Sequence, residues 1–163
     1  MKDTHCMYNC RPAVSTDYPI IASFPQSEEE LFYMFPSATY PLTANQIEEN
    51  VKNRWCPTVV LCGDDVVGFA NFYGYEQGKH CYLGNVIVSV EHRGKGAAEY
   101  LISRMIKVAK EELKVPRLAL TCHHTNPRGL LFYKKMNFVP FDITKMYNRK
   151  QEVIVGIQME MML

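Results

Sequence analysis

The sequence predicts an α+β domain built on a mixed, mostly antiparallel central sheet of about seven strands flanked by helices. Three observations lead there. Residues 58–90 read as strand-like runs separated by short polar or glycine-bearing turns, the pattern of an antiparallel meander. Ala97, Leu101, Met105, Ala109 and Leu113 recur every fourth residue, the mark of a long amphipathic helix. The remaining text then runs strand, helix, strand, strand.

From the N-terminus, Tyr8 to Val14 forms a first strand. Ser15, Thr16 and Asp17 offer capping side chains to a short helix at Tyr18-Pro19-Ile20-Ile21. Ser27 before Glu28-Glu29-Glu30 marks a second helix start, with carboxylates at the positive end of the helix dipole. Thr43 opens a third helix, Ala44 to Asn53. Thr58 to Cys62 is a strand, Gly63-Asp64-Asp65 a turn and Val66 to Tyr75 its hairpin partner; Gln77-Gly78-Lys79 turns again into His80 to Val90. The long helix sets Glu99, Ser103, Lys107, Lys110 and Glu111 opposite its apolar stripe and ends at Pro116. Arg117 to Cys122 is a short buried strand. Asn126 caps a last helix that has Pro127 at its first position, and Asn137 tolerates the left-handed turn common past a helix end. Phe138 to Met146 and Glu152 to Met162 complete the sheet.

The 163 residues fit one domain, 1–163. A formal net charge of +1 gives no reason to expect nucleic acid or a membrane surface as partner. No apolar run is long enough to cross a bilayer, and Met1 to Cys10 lacks a secretory apolar core. Cys6, Cys10, Cys56, Cys62, Cys81 and Cys122 are scattered and read as reduced thiols, so a cytoplasmic location is expected.

The chemistry concentrates at Arg93-Gly94-Lys95-Gly96, between a strand and the long helix. A helix N-terminus presents unpaired N–H groups and the positive end of its dipole. Glycine lets a loop turn those donors into one concavity and lets phosphate oxygens approach the backbone, and Arg93 and Lys95 add charge. An anion site for a phosphate or diphosphate is therefore expected. A plain basic turn would look similar. A Walker loop would need Gly-Lys-Ser or Gly-Lys-Thr, which is missing. A dinucleotide fingerprint would need glycine where Glu99 stands.

The run Val86-Ile87-Val88-Ser89-Val90-Glu91-His92-Arg93-Gly94-Lys95-Gly96-Ala97-Ala98 resembles the acetyl-CoA motif of the GNAT superfamily of N-acetyltransferases. In that motif an apolar strand leads to (Gln/Arg)-x-x-Gly-x-(Gly/Ala), and Arg93, Gly96 and Ala98 fill the named places. Asn126 followed seven residues later by Tyr133, in a helix closing on Asn137-Phe138, is similar to the family's next motif, with Asn137 where a glycine is usual. Asn9 to Ala13 also looks like the family's first strand. The resemblance is strong over residues 84–139. It implies acetyl-CoA as acyl-donor cosubstrate, bound by Val86, Ile87, Val88, Arg93, Gly94, Lys95, Gly96, Ala97, Ala98, Glu99 and Asn126. It also implies direct acyl transfer to an amine acceptor, small-molecule or peptide, with Tyr133 as the acid that protonates the leaving thiolate and strand N–H groups near Val88 stabilising the oxyanion. A homodimer is compatible with it. So are a non-catalytic acyl-CoA-binding regulatory domain and an acyltransferase acting on a protein N-terminus or lysine.

One departure bears on mechanism. Thr121 stands where many relatives carry a glutamate base, and threonine is no base at neutral pH. Glu76, His80, His123 and His124 are the candidates, acting directly or through water, and none is singled out. Cys122-His123-His124 and His5-Cys6 with Cys10 lack paired Cys-x-x-Cys spacing, so no metal site is assigned. Adjacent His123 and His124 at a strand end should face opposite sides. Phe32, Tyr33, Phe35, Tyr40 and Trp55 make the N-terminal third aromatic, and in the family this region frames the acceptor pocket.

Overall fold

A computed structural model describes residues 6–163; residues 1–5, including His5 and the first half of the polar opening segment, lie outside them. The elements are β1 (Tyr8–Pro12), α1 (Tyr18–Ala22), α2 (Glu28–Met34), α3 (Ala44–Val51), β2 (Trp55–Cys62), β3 (Asp65–Glu76), β4 (His80–Val88), α4 (Ala97–Glu111), β5 (Arg117–His123), α5 (Pro127–Lys135), β6 (Val139–Tyr147) and β7 (Val153–Met162). The strands form one seven-stranded sheet in the order β1-β2-β3-β4-β5-β7-β6. Every pairing is antiparallel except β4 with β5. The expected α+β class and mixed sheet are thus observed.

Strand alternation divides the buried side chains into two layers. Leu101, Ile102, Met105, Val108 and Ala109 of α4 pack on Val60, Ala70, Phe72, Cys81, Leu83, Leu118 and Leu120. On the opposite face Ile21, Leu31, Met34 and Ile47, one or two from each short helix, cover Val59, Phe69 and Ile87. No helix among the described residues is long and apolar enough to cross a membrane.

Several local expectations change. Ser15 and Thr16 do not cap α1; residues 15–17 form a 3-10 turn. Asp17 is buried and takes two hydrogen bonds from the Arg11 guanidinium (2.7 and 2.9 Å) and one from the Val14 N–H (2.8 Å), locking β1 to the turn. The strand expected to reach Val90 ends at Val88, because residues 90–92 wind into a 3-10 turn closed by His92 N–H donating to the Ser89 carbonyl at 3.0 Å. The long helix ends at Glu111, before Pro116. Lys114 adopts φ 54°, and the Val115 N–H returns to the Ala109 carbonyl at 3.2 Å, satisfying the helix end.

The cysteine expectation is corrected at two positions. Cys6 and Cys62 form a disulfide with Cα atoms 5.7 Å apart; Cys10, Cys56, Cys81 and Cys122 are free. The register explains it: Tyr8 lies opposite Cys62, which brings Cys6 alongside. Cysteine usage therefore no longer argues for a reducing compartment.

The sheet's organising irregularity lies in β4. Phe69 pairs with Ile87 and Asn71 with Gly84, so β4 carries one extra residue over that interval, a β-bulge. Asn85 occupies it at φ 51°, a left-handed conformation that asparagine tolerates. Its side-chain oxygen accepts from Asn50 Nδ2 (2.7 Å) and Asn71 Nδ2 (2.9 Å), and its Nδ2 donates to the Met34 carbonyl (3.0 Å). One side chain thus ties the ends of α2 and α3 and strand β3 to the bulge.

Two stability outcomes follow. Asn85→Ala strands three polar partners and should cost about 2–4 kcal/mol in chemical denaturation, whereas a change under about 0.5 kcal/mol would show that the knot is dispensable. Asp17 has its carboxyl pKa held down, first by the Arg11 hydrogen bonds, against the opposing effect of burial. A depressed folded pKa contributes stability that is complete above the unfolded value of about 3.9 and is lost as pH falls through the folded value. Asp17→Asn should therefore destabilise at pH 7, and the gap from wild type should close below about pH 4; a pH-independent gap would contradict the assignment.

A candidate active site in the gap between two parallel strands

The parallel strands β4 and β5 pair only at Cys81–Leu118 and Tyr82–Ala119. Just before the bulge they part: β4 continues on β3 alone, and β5 continues on β7 with Thr121 opposite Gln158 and His123 opposite Gly156. The Ser89 N–H donates to the Val67 carbonyl at 2.8 Å, so by strand alternation Ile87 and Ser89 direct their backbone groups to β3, while Val86 and Val88 direct theirs into the gap. The Val88 carbonyl there already accepts from Arg93 Nε at 3.1 Å.

A cavity of about 590 Å³ runs through this gap, a volume typical of small-molecule sites. Tyr133 lines it and packs with the α4-side core, its ring edge-on to Phe138 at 5.9 Å. Burial, and next the nearby Cys122, push its pKa well above the usual phenol range, so it stays protonated. From the other face come Arg54, Tyr73, Tyr82, Gly84, Thr121 and His123. Burial also raises the Tyr73 pKa, opposed by hydrogen bonding from Thr121 and by the Arg54 charge.

Among the candidate bases, the structure brings only His123 to the cavity. Glu76 and His80 sit at the β3–β4 hairpin, where Glu76 pairs with Lys79 and lies 3.8 Å from His80. His124 is exposed and its Nδ1 accepts from the Val155 N–H at 2.9 Å. His123 faces the opposite way, as alternation requires, and is buried against Phe32 and Tyr33 with ring centroids 4.6 and 5.9 Å away. Its Nδ1 has no hydrogen-bond partner among the described residues. Burial, then His124, lowers its pKa, leaving a neutral imidazole.

The glycine-rich loop stands at the start of α4. Gly94 and Gly96 have φ of 70° and 90°, conformations that a side chain would strain. The first helical bond runs from the Tyr100 N–H to the Gly96 carbonyl at 3.0 Å, so Ala97, Ala98 and Glu99 precede any intrahelical acceptor. Tyr8 pins the loop by donating to the Lys95 carbonyl at 3.0 Å. The Arg93 guanidinium is spent on a salt bridge with Glu30 and on the Val88 carbonyl, so it fixes the strand–loop junction, while the Lys95 side chain is exposed. Asn126 does not line the cavity; its side-chain oxygen caps α5 by accepting from the Gly129 N–H at 3.0 Å. Of the N-terminal aromatics, Tyr33 and Phe35 line the cavity, whereas Tyr40 and Trp55 are exposed elsewhere.

Sequence reasoning missed Arg54, Tyr73, Tyr82, Asn85 and Lys145, all on the cavity wall. The one available signal was Gly84-Asn85 inside a strand-like run, a pattern that favours a bulge.

Comparison with known proteins gives a consistent result. The family model for the acetyltransferase (GNAT) family matches residues 20–138. A search of curated protein sequences returns no significant match. Spermidine N-acetyltransferase from Vibrio cholerae, solved with CoA and spermine, is similar in fold with a TM-score of 0.79, 17% identity and 95% coverage of both chains. Ribosomal-protein-alanine N-acetyltransferase from Brucella melitensis gives 0.77 and 18%, covering 95% of this chain and 99% of that one. A GNAT family acetyltransferase from Elizabethkingia anophelis with acetyl-CoA bound gives 0.68 and 16%, covering 99% and 100%.

The depressed His123 value sets a measurable titration. Stability from its neutral burial is complete above the unfolded value of about 6.5 and is lost as pH falls through the folded value. Imidazole NMR resonances should place its midpoint below 6.5, and a midpoint at or above 6.5 would contradict the buried neutral state.

Proposed function

The chain belongs to the GNAT acetyltransferase family, and from that premise we propose that it is an N-acetyltransferase moving an acetyl group from acetyl-CoA to a primary amine by direct attack in a ternary complex. The observation that carries this reading is the cavity through the β4–β5 gap, with the Tyr133 phenol on one face of the sheet and the His123 imidazole on the other. A donor and an acceptor can meet there from opposite sides.

In the proposed complex the pyrophosphate rests on the N–H groups of Gly94, Lys95, Gly96, Ala97, Ala98 and Glu99 at the positive end of α4. The pantetheine arm follows Val86, Ile87 and Val88 as an added strand, with the gap-facing groups of Val86 serving its amides. Arg93 and Asn126 act by position, one holding the loop to β4 and the other fixing the start of the helix that carries Tyr133.

The neutral amine nitrogen attacks the thioester carbonyl. A C–N bond forms, the C–S bond breaks, and its electron pair leaves with sulfur. The Val88 N–H faces the oxygen on which negative charge develops. Tyr133 hydrogen-bonds the departing sulfur and supplies the proton that makes the free thiol. Its raised pKa keeps it a donor at neutral pH and makes full transfer uphill, so the hydrogen bond forms first. The proton released by the amine passes to His123, directly or through water. Cys122 takes no covalent part, since burial pushes its thiol up to about 11.

Acetyl-CoA at about 100 times its Kd should raise stability by about 2.7 kcal/mol, read as a higher melting temperature; no shift at saturation would sink the donor assignment. Tyr133→Phe should lower kcat by about 10²- to 10⁴-fold with little change in coenzyme A binding. Unchanged turnover would remove Tyr133 from the mechanism. Coenzyme A binding without turnover on any amine would instead indicate a non-catalytic binding domain.

A further inference from the structure

Resting on the acetyltransferase reading, the charges on the cavity's wall and rim point to the acceptor. Its lining includes two basic side chains, the half-buried Arg54 and the exposed Lys145, and neither aspartate nor glutamate. Arg54 is the unusual one. Arg11, Arg93, Arg104, Arg117 and Arg149 each face a carboxylate, and Arg128 is exposed on α5. Arg54 has no carboxylate within ion-pair distance among the described residues, although burial works against its charge. Lys145 likewise has none; its ammonium lies 5.4 Å from the Tyr147 ring centre.

The position of Arg54 is built. The Arg54 N–H donates to the Val51 carbonyl at 3.0 Å at the end of α3, the helix that also delivers Asn50 to the bulge. The guanidinium lies 4.7 Å above the Tyr73 ring, and its Nη1 rests against Gly84, where an added Cβ would stand only 2.7 Å away. Stacking and the missing side chain at Gly84 thus hold a planar fork of donors at the cavity wall. A half-desolvated guanidinium without a counter-charge is costly, and a carboxylate is the ligand whose paired oxygens match its fork.

We propose that the acceptor is a small amine that itself carries a carboxylate, an amino acid or a close analogue, oriented by Arg54 with Lys145 as a second cation. Such a site disfavours polyamines, which would meet two cations and no carboxylate. The same cations favour loss of the acceptor's ammonium proton, which eases the need for a strong base where Thr121 stands. The transfer is the one written above, ending in an amide and a free thiol, with the carboxylate unchanged.

The test measures kcat/KM with acetyl-CoA across free amino acids, the matching amino-acid amides and linear polyamines. Wild type should prefer the carboxylates over their amides by about 10- to 100-fold, the range of charge-assisted hydrogen bonds. Arg54→Gln should collapse that preference toward unity, acting on KM more than kcat, and Arg54→Lys should restore part of it. Amides or polyamines used as well as carboxylates by wild type would overturn the proposal while leaving the transferase reading intact. So would an unchanged preference in folded Arg54→Gln and Arg54→Lys. No turnover on any member, with coenzyme A still raising the melting temperature, would overturn this inference, and the transferase reading would fall with it only if peptide amines were also left unmodified.

Discussion

The cavity depends on the Asn85 side chain. It sits in the one extra residue of β4 and receives Asn50 from the end of α3 and Asn71 from β3, while its own amide reaches the last carbonyl of α2. A buried amide network of this kind is costly when half made and rigid when complete. Here it holds the bulge, and the pairing of β4 with β5 stops short of that bulge. The parted strands leave a passage between the two helical layers.

Each part of the proposed chemistry uses that passage. The α4 face contributes the glycine loop and a phenol kept protonated by burial. The opposite face contributes a neutral imidazole and an arginine that has no carboxylate partner among the described residues. Cations in place of a carboxylate base change how the amine becomes nucleophilic: its proton is made easier to lose, and a weak, neutral base suffices to take it. Thr121, like Arg54 and Tyr73, lines the cavity on this face.

The sequence made visible what is local. Meander, long helix and closing strands follow from periodicity and turn residues, and all seven strands lie close to their expected places. The glycine-rich loop at the start of α4 was legible because its glycines and the helix start are adjacent in the chain. Tyr133 was legible only through its motif, since nothing in its own helix separates it from a packed aromatic. Arg54, Tyr73 and Lys145 were not legible at all. They lie on different elements and meet at one cavity only in the folded sheet. The Cys6–Cys62 bond was hidden for the same reason: its partners are 56 residues apart, and only the β1–β2 register joins them. His123 stood among four candidates, and burial separated it from the rest.

The central claim is that one gap between two parallel strands receives acyl donor and acceptor from opposite faces of the sheet. A crystal structure with coenzyme A bound tests it most directly. The account predicts pyrophosphate oxygens within hydrogen-bonding distance of the Gly94 to Glu99 N–H groups, and the sulfur in the β4–β5 gap beside the Tyr133 hydroxyl. Coenzyme A bound away from the α4 N-terminus, or with its sulfur outside the gap, would contradict it.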